Sequence, residues 1–284
     1  MIAPAVASGW NLRDVGGYVT RGGGAVRTGL LYRSGDLSRL DGQDAATLGG
    51  LGLRVVYDLR SAVERARQPD HLPPGAVLVA LDILAGSAVI RPEQMIRALD
   101  EPRTAERFLG GGRGARWFAQ QYREFVTEAG ALVVLGRLYR DLADPARRPA
   151  LIHCATGKDR TGWAVAALLL LLDVPEPVVM TDYLASGVQL APAFQPMLDQ
   201  FSAAGGDPDL LRPLMDVRPE YLEAGLDEMR RRYATIEGYF ARGLGIDRAT
   251  QEALRAAFVA VAPVTSPGPG SGTPRHPRGG GAAH

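Results

Sequence analysis

Residues 150–162 read ALIHCATGKDRTG, and the apolar run WAVAALLLLL follows at 163–172. The β-type residues 150–152 predict a strand, the glycine-containing segment after them predicts a tight loop, and the apolar run predicts a buried helix. Such a junction points several backbone N–H groups and the positive end of a helix dipole at one spot. The stretch therefore predicts a binding site for an anion of phosphate size.

Cys154 and Arg160 bracket this loop with five residues between them. The helix start and nearby cations favour the thiolate form of Cys154, which is then a poised nucleophile. Attack on phosphorus would give a phosphocysteine intermediate that water hydrolyses, while Arg160 and the loop amides stabilise charge on the transferring group. This chemistry requires no metal and no cofactor. The predicted phosphate-binding residues are Ala155, Thr156, Gly157, Lys158, Thr161 and Gly162.

Composition also singles out this loop, because Cys154 is the only cysteine and Lys158 the only lysine of the 284-residue chain. A lone lysine beside the nucleophile suggests a directed phosphate-binding cation. We interpret His153 as a residue that orients the loop. Thr161 follows Arg160 at the predicted start of the helix. We interpret it both as a donor of a hydrogen bond to the departing thiolate and as a cap of the helix, because the two roles are compatible.

The stretch HCATGKDRTG resembles the active-site loop HCxxGKDRTG of the bacterial tyrosine and lipid phosphatases of the mycobacterial B type. Four further blocks resemble that family in the same order: NLRDVGGY at 11–18, LYRSGDLSRLD at 31–41, VYDLRS at 56–61 and VRPEYLEA at 217–224. The resemblance covers most of residues 10–260. It implies a cysteine-dependent phosphatase that acts on phosphotyrosine, phosphoserine or phosphothreonine proteins, on phosphoinositides, or on both.

The resemblance also implies roles for particular residues. It suggests Asp159, within the loop, as the general acid, although its neighbours Lys158 and Arg160 favour the carboxylate over the acid. Asp82, at a predicted strand end, is the alternate acid. The family places the block containing Arg13 and Asp14 near the phosphate loop, so both are supporting candidates, with a turn cap as the other interpretation of Asp14.

Strands predicted at 30–34, 53–59, 76–83 and 150–152 alternate with helical segments, which indicates an α/β fold with a mostly parallel central sheet flanked by helices. The resemblance implies that this is the cysteine-dependent phosphatase fold. Ser61 and Glu64 predict a capping box, and Asp58, Arg60 and Glu64 are interpreted as helix-start residues and surface pairs. A helix is expected at 176–186. The proline-rich segment 188–216 is predicted to be a helical hairpin. The resemblance implies that it forms a lid over the active site, and an ordinary surface excursion is the other interpretation.

We expect one phosphatase domain over residues 1–262 and a disordered Pro/Gly-rich tail over 263–284. The net charge of +1 gives no support to nucleic-acid or membrane-surface binding. The longest apolar run, ten residues, is short of the roughly 20 that a membrane span needs. One cysteine and the absence of a signal-peptide pattern favour the cytoplasm, with non-standard secretion open.

Two other classes of protein stay open at this point. One is a non-catalytic module that binds phosphorylated ligands. The other is a thiol-dependent oxyanion reductase that uses the same cysteine-to-arginine loop, although this chemistry usually needs a resolving cysteine that the chain lacks. The oligomeric state does not follow from the sequence.

Overall fold

The computed structural model describes residues 11–38, 40, 42–87 and 101–260. The predicted tail at 263–284 lies outside these residues. Helices flank a five-stranded sheet. Its strands are β1 (Arg13–Asp14), β3 (Leu31–Ser34), β4 (Val55–Asp58), β5 (Val77–Ala80) and β6 (Ala150–His153). Their spatial order is β1-β3-β6-β4-β5.

Four of the five strands are parallel, which confirms the predicted α/β class with a mostly parallel sheet. β3, β6, β4 and β5 run parallel to their neighbours, and only the short β1 pairs antiparallel to β3. The register places Ser34 and Asp58 on either side of His153. The loop after β6 therefore leaves the sheet between the carboxyl ends of two neighbouring strands.

The helices before β6 are α1 (Gly42–Gly50), α2 (Ala62–Arg67), α3 (Pro102–Leu109), α4 (Arg113–Thr127) and α5 (Ala129–Ala143). After β6 follow α6 (Arg160–Leu171), α7 (Glu176–Ala203), α8 (Arg212–Met215), α9 (Pro219–Tyr233), α10 (Ile236–Gly238) and α11 (Arg248–Phe258). A two-stranded ladder, β2 (Ala25–Val26) with β7 (Val259–Ala260), joins the two ends of the described chain. This ladder was not predicted from the sequence.

Helix α6 is the core helix that the apolar run predicts. Eleven of its twelve residues are buried, and only Leu170 is not. Because burial of each leucine contributes roughly 1.5–3 kcal/mol, this helix is held firmly against the sheet. Its first residue, Arg160, and the loop before it are fixed with it.

Helix α7 is longer than predicted. It was expected to end at Ser186, but it continues to Ala203 through Pro192 and Pro196. Each proline removes one helical N–H, so the carbonyls of Val188 and Pro192 lose their donors. Both prolines lie on the exposed side of the helix, and Val188 is 81% exposed, so water can satisfy these carbonyls.

The lid candidate therefore begins inside one long helix and turns back after Ala203. No helix in the described part of the chain is both long enough and apolar enough to span a membrane.

Candidate active site

The loop of residues 154–159 lies at the carboxyl edge of the sheet between β6 and α6. Three consecutive loop carbonyls accept hydrogen bonds from other segments: Ala155 from the Asp36 amide at 3.1 Å, Thr156 from Asn11 Nδ2 at 3.2 Å and Gly157 from Arg33 Nη2 at 2.7 Å. Among the described residues, the amides of 155–159 meet no acceptor. Carbonyls held outward leave a set of amides free to bind an anion.

Gly157 is required by two features of this loop. Its φ is +71°, a left-handed conformation that L side chains rarely adopt. A Cβ at this position would also lie 2.3 Å from the Ser34 carbonyl oxygen. The loop can lie this close to the end of β3 only with glycine at 157.

Cys154 follows the last residue of β6 and is 1% exposed, as a free thiol. His153, immediately before it, is fully buried and places Nδ1 3.3 Å from the Cys154 carbonyl oxygen. The other ring nitrogen, Nε2, lies 3.3 Å from Asp70 Oδ2. Burial opposes the charge of Asp70, but His153, the Leu37 amide and Arg60 together outweigh it and lower the pKa of Asp70. His153 thus has fixed contacts on both sides, as an orienting residue would.

Arg160 begins α6 and forms a two-pronged ion pair with Glu64 of α2. The distances from Nη1 to Oε2 and from Nη2 to Oε1 are both 2.7 Å. Burial opposes the charge of Arg160, but Glu64 and then Cys154 outweigh it and raise the pKa of Arg160. Burial likewise opposes ionisation of Glu64, yet Arg160 and the hydrogen bonds with Ser61 together lower the pKa of Glu64 to about 2. Of the five guanidinium N–H donors, this pair uses two and leaves three for a substrate.

Glu64 is a functional candidate that the sequence analysis missed. The predicted capping box is present, since Glu64 accepts the Ser61 amide and Ser61 accepts the Glu64 amide. The same carboxylate also holds Arg160, so the interpretation of Glu64 as a surface pair was wrong. Asp58 and Arg60, interpreted in the same way, are buried, whereas Glu64 is only partly buried.

Lys158 and Asp159 form an ion pair at the wall of the loop. Lys158 Nζ lies 2.8 Å from Asp159 Oδ2 and 3.0 Å from Oδ1. It also lies 4.8 Å from the centre of the Phe118 ring and 3.4 Å from the Asp216 carbonyl oxygen. Lys158 is 2% exposed, so the lone lysine of the chain is enclosed at the loop.

Arg13 contacts the loop indirectly. Its Nε and Nη2 bind the Asp182 side chain and carbonyl at 2.9 and 2.8 Å, and Asp182 also binds Arg33 at 2.6 Å. Arg33 in turn holds the Gly157 carbonyl. Asp182, in the middle of this buried network, was not predicted from the sequence.

Asp14 and Asp82 are not brought into contact with the loop. Asp14 accepts the amides of Gly16 and Gly29 at 2.7 and 2.6 Å, as expected for a turn residue. Asp82 accepts the Leu84 amide at 3.0 Å, and its strand β5 is separated from β6 by β4, a distance of about 10 Å between strand axes. Of the two candidate acids, Asp159 is thus the one that lies in the loop itself.

Thr161 and Gly162 lie in the first turn of α6, and both are buried. Within the residues that the structure describes, Thr161 Oγ1 has no hydrogen-bond partner. Because a buried hydroxyl without a partner is costly, this atom is available for a group that arrives or forms during a reaction.

A buried cluster below the loop contains three potential metal ligands, Asp58, Asp70 and His153. Arg60 binds both carboxylates, at 2.8 Å to Asp58 and 2.6 Å to Asp70. A metal ion would have to displace this guanidinium or share its ligands with it. The donor set therefore suits an ion-pair cluster under β6 better than a metal centre.

The fold and this site together define a cysteine-dependent phosphatase. Comparison with known proteins gives the family: its sequence profile, described as "Tyrosine phosphatase family", matches residues 4–260. The chain belongs to this tyrosine phosphatase family.

Two curated relatives resemble nearly the whole chain. The triple specificity protein phosphatase PtpB of Mycobacterium tuberculosis is 34% identical, over 87% of this chain and 95% of that protein. A candidate tyrosine-protein phosphatase of Cupriavidus necator is 30% identical, over 84% of this chain and 82% of that protein. These relatives and the family support a protein-tyrosine or dual-specificity phosphatase.

Proposed function

We propose that this phosphatase cleaves phosphate monoesters through a phosphocysteine intermediate on Cys154. The observation that carries the proposal is the loop itself: three carbonyls are held by Asp36, Asn11 and Arg33, and the amides of residues 155–159 meet no acceptor among the described residues. A phosphate bound there would lie in line with the thiolate and accept hydrogen bonds from the loop amides.

In the first step, the Cys154 sulfur attacks phosphorus and the bond from phosphorus to the leaving oxygen breaks. Arg160, with three free N–H donors, binds the equatorial phosphate oxygens in both the ground state and the transition state. The Glu64 carboxylate holds the guanidinium of Arg160 through two contacts of 2.7 Å, from Nη1 to Oε2 and from Nη2 to Oε1. The ion pair therefore orients Arg160 before the substrate binds.

Asp159 donates a proton to the leaving oxygen in this step. In the second step, the Asp159 carboxylate accepts a proton from water, water oxygen bonds to phosphorus and the S–P bond breaks, which releases phosphate and the thiolate. The unpartnered hydroxyl of Thr161 supports a role at this point, because it can donate a hydrogen bond to the departing thiolate.

The substrate class that we propose is broad: phosphotyrosine proteins, with phosphoserine and phosphothreonine proteins and phosphoinositides. Arg160 serves any phosphate monoester, and the enclosed Lys158 adds a second cation for a more heavily phosphorylated ligand. The printed name of the Mycobacterium tuberculosis relative, a triple specificity phosphatase, supports a broad range.

We also propose that residues 188–216 act as a lid within a single phosphatase domain of residues 1–262. The contact between Lys158 Nζ and the Asp216 carbonyl supports this role, because it joins the end of the segment to the loop. Leu190, Phe201 and Leu211 anchor the segment against the core. The single free cysteine fits a reducing compartment such as the cytoplasm.

The test is the release of inorganic phosphate from a phosphotyrosine peptide and from a phosphatidylinositol monophosphate, in the presence of a chelator. Wild type is compared with Cys154→Ser. We expect release by the wild type that the variant abolishes. Release that persists in Cys154→Ser, or that the chelator removes, would contradict the thiolate mechanism.

A further inference from the structure

The carboxylate of Asp182, on α7, lies between two buried arginines of the sheet. Its Oδ1 accepts from Arg13 Nε, on β1, at 2.9 Å, and its Oδ2 accepts from Arg33 Nη1, on β3, at 2.6 Å. The Tyr18 hydroxyl also donates to Oδ1, at 2.9 Å. Burial opposes ionisation of Asp182, but Arg33, Arg13 and the Tyr18 hydrogen bond together lower its pKa, so Asp182 is charged at neutral pH.

The shorter route from Asp182 to the loop passes through Arg33. Arg33 is fully buried, and its Nη2 donates to the Gly157 carbonyl at 2.7 Å. Because the guanidinium group is planar and rigid, the contact of Nη1 with Asp182 also fixes where Nη2 lies. Asp182 therefore determines the direction from which the Gly157 carbonyl is held.

The longer route passes through Arg13 and Asn11. Arg13 Nη1 donates to Asn11 Oδ1, and Asn11 Nδ2 donates to the Thr156 carbonyl at 3.2 Å. Because a guanidinium group can only donate, the amide oxygen of Asn11 must face Arg13, which leaves its NH₂ group for Thr156. Arg13 Nη2 also donates to the Asp182 carbonyl and to Ser186 Oγ, at 2.8 and 3.0 Å, so α7 fixes Arg13 as well.

The two carbonyls at the ends of these routes set the direction of two loop amides. In a trans peptide, the C=O group and the N–H group of the next residue point in opposite directions. The peptide bonds after Thr156 and Gly157 are both trans. Carbonyls that are held on one side of the loop therefore turn the amides of Gly157 and Lys158 to the other side, where they meet no acceptor among the described residues.

We infer that Asp182 is a positioning residue that acts through Arg33 and Arg13 to turn two loop amides toward the phosphoryl group. The amides are those of Gly157 and Lys158. The inference rests on the proposed function of the loop as the phosphate site. Donors that are held in place before the anion arrives lose less conformational freedom when they bind it.

The charge of this network gives a competing explanation. Burial and the neighbouring Arg33 lower the pKa of Arg13 to about 10, so both guanidinium groups are charged at neutral pH and face one carboxylate. If only this charge mattered, removal of the Asp182 carboxylate would leave more positive charge beside the loop and strengthen anion binding. If Asp182 directs the amides, its removal weakens anion binding. The sign of the change separates the two explanations.

The experiment measures the binding of tungstate, a tetrahedral oxyanion, by isothermal titration calorimetry. Cys154→Ser is compared with Cys154→Ser/Asp182→Asn, so that binding is measured without turnover. The stoichiometry reports the fraction of folded protein, and the Kd reports the loop of the folded molecules, so a merely structural role would change only the stoichiometry. Glu228→Gln, in the same background, is the matched control, because Glu228 also binds two arginines, Arg231 and Arg232 of its own helix.

The asparagine in Asp182→Asn has one side-chain oxygen, so it can accept from one arginine while its NH₂ group faces the other. We expect the tungstate Kd to rise by roughly tenfold or more, as for the loss of one hydrogen bond to a charged group. In the enzyme that retains Cys154, kcat/KM for para-nitrophenyl phosphate should fall at least as far. Glu228→Gln should leave the Kd unchanged. A Kd that is unchanged or lower in Asp182→Asn would overturn the inference.

Asn11→Gly decides the question if Asp182→Asn does not fold. The φ of Asn11 is +61°, which glycine adopts without strain. The variant removes the side chain that joins Arg13 to the Thr156 carbonyl, while Asp182 keeps its ion pairs and no charge changes. We expect the tungstate Kd to rise by about fivefold, as for one neutral hydrogen bond. An unchanged Kd in this variant would overturn the inference.

Phosphate release by the wild type separates failure of the inference from failure of the proposed function. If the wild type releases phosphate but Asp182→Asn does not weaken tungstate binding, the positioning role is wrong and the proposed function stands. If the wild type releases none but Asp182→Asn weakens tungstate binding, the positioning role stands for a loop that binds phosphate without turnover. If Cys154→Ser binds no tungstate, the loop is not an anion site and the inference falls.

Discussion

Replacing Glu64 with glutamine would remove the negative charge that faces Arg160 but keep an amide oxygen for the Ser61 N–H. The Arg160 guanidinium would then lose its two-pronged partner and the fixed orientation that the pair gives it. We expect lower stability, and a fall in kcat/KM of up to about 100-fold, because the group that binds the equatorial phosphate oxygens is misplaced.

The stability change follows from the ion pair. Burial opposes ionisation of Glu64, but Arg160 and the Ser61 hydrogen bonds together lower its pKa from 4.5 to about 2; each pKa unit corresponds to about 1.4 kcal/mol, so the ionised carboxylate with these partners contributes about 3 kcal/mol at pH 7. Because the pKa is lower in the folded state, this stability is fully present above pH 4.5 and is lost as the pH falls toward 2. Integration predicts that about 1.4 kcal/mol of it is gone by pH 3.5.

The assay is urea unfolding of wild type and Glu64→Gln at pH 7 and at pH 3.5. The advantage of the wild type should shrink from about 3 to about 2 kcal/mol between these values. Glu252→Gln is the control, since it removes a surface pair with Arg248 and should cost less than about 0.5 kcal/mol at both pH values. A Glu64→Gln penalty that is the same at pH 7 and pH 3.5, or full activity of the variant, would refute the reasoning.

Three further predictions concern the loop. Asp159→Asn should lower kcat on an alkyl phosphate by about 100-fold or more and much less on an activated aryl phosphate; equal losses would argue against an acid role. Lys158→Ala should lower the ratio of phosphoinositide to phosphotyrosine rates, and an unchanged ratio would show that Lys158 does not select lipid substrates. Gly157→Ala should reduce kcat by about 100-fold and lower the thermal midpoint, because its Cβ would lie 2.3 Å from the Ser34 carbonyl oxygen; wild-type values for both would mean that the loop tolerates a Cβ.

The central elements could be predicted because their signals are local. The apolar run after Gly162 specifies a buried helix, and the β-type residues before His153 specify the strand that carries the cysteine. The capping box of Ser61 and Glu64 was also predictable, because it depends on two residues three positions apart. These features need only neighbouring residues and their periodicity.

The contacts that complete the site depend on residues far apart in the chain. Glu64 and Arg160 are 96 positions apart, and Tyr122 and Asp159 are 37 apart. Their side chains meet only because α2 and α4 are placed beside the loop by the sheet and the core. No local pattern distinguishes Glu64, as the third residue of a helix, from an ordinary cap.

Helix α7 shows that proline does not always end a helix. A helix was expected only to Ser186, with Pro192 and Pro196 in a separate hairpin, but the hydrogen bonds lost at these prolines fall on the exposed side of the helix while Leu190 and Phe201 are buried. Tertiary packing therefore outweighs a local cost of about 3 kcal/mol per proline.

The most direct test of the thiolate mechanism is to trap the phosphocysteine intermediate on Cys154. Wild-type enzyme would be mixed with para-nitrophenyl phosphate, quenched in acid within the first turnover and digested for mass spectrometry. We expect one added phosphoryl group on the peptide that contains Cys154, the only cysteine of the chain, and none in Cys154→Ser. Turnover without any phosphorylated Cys154 peptide, or a phosphoryl group on another residue, would contradict it.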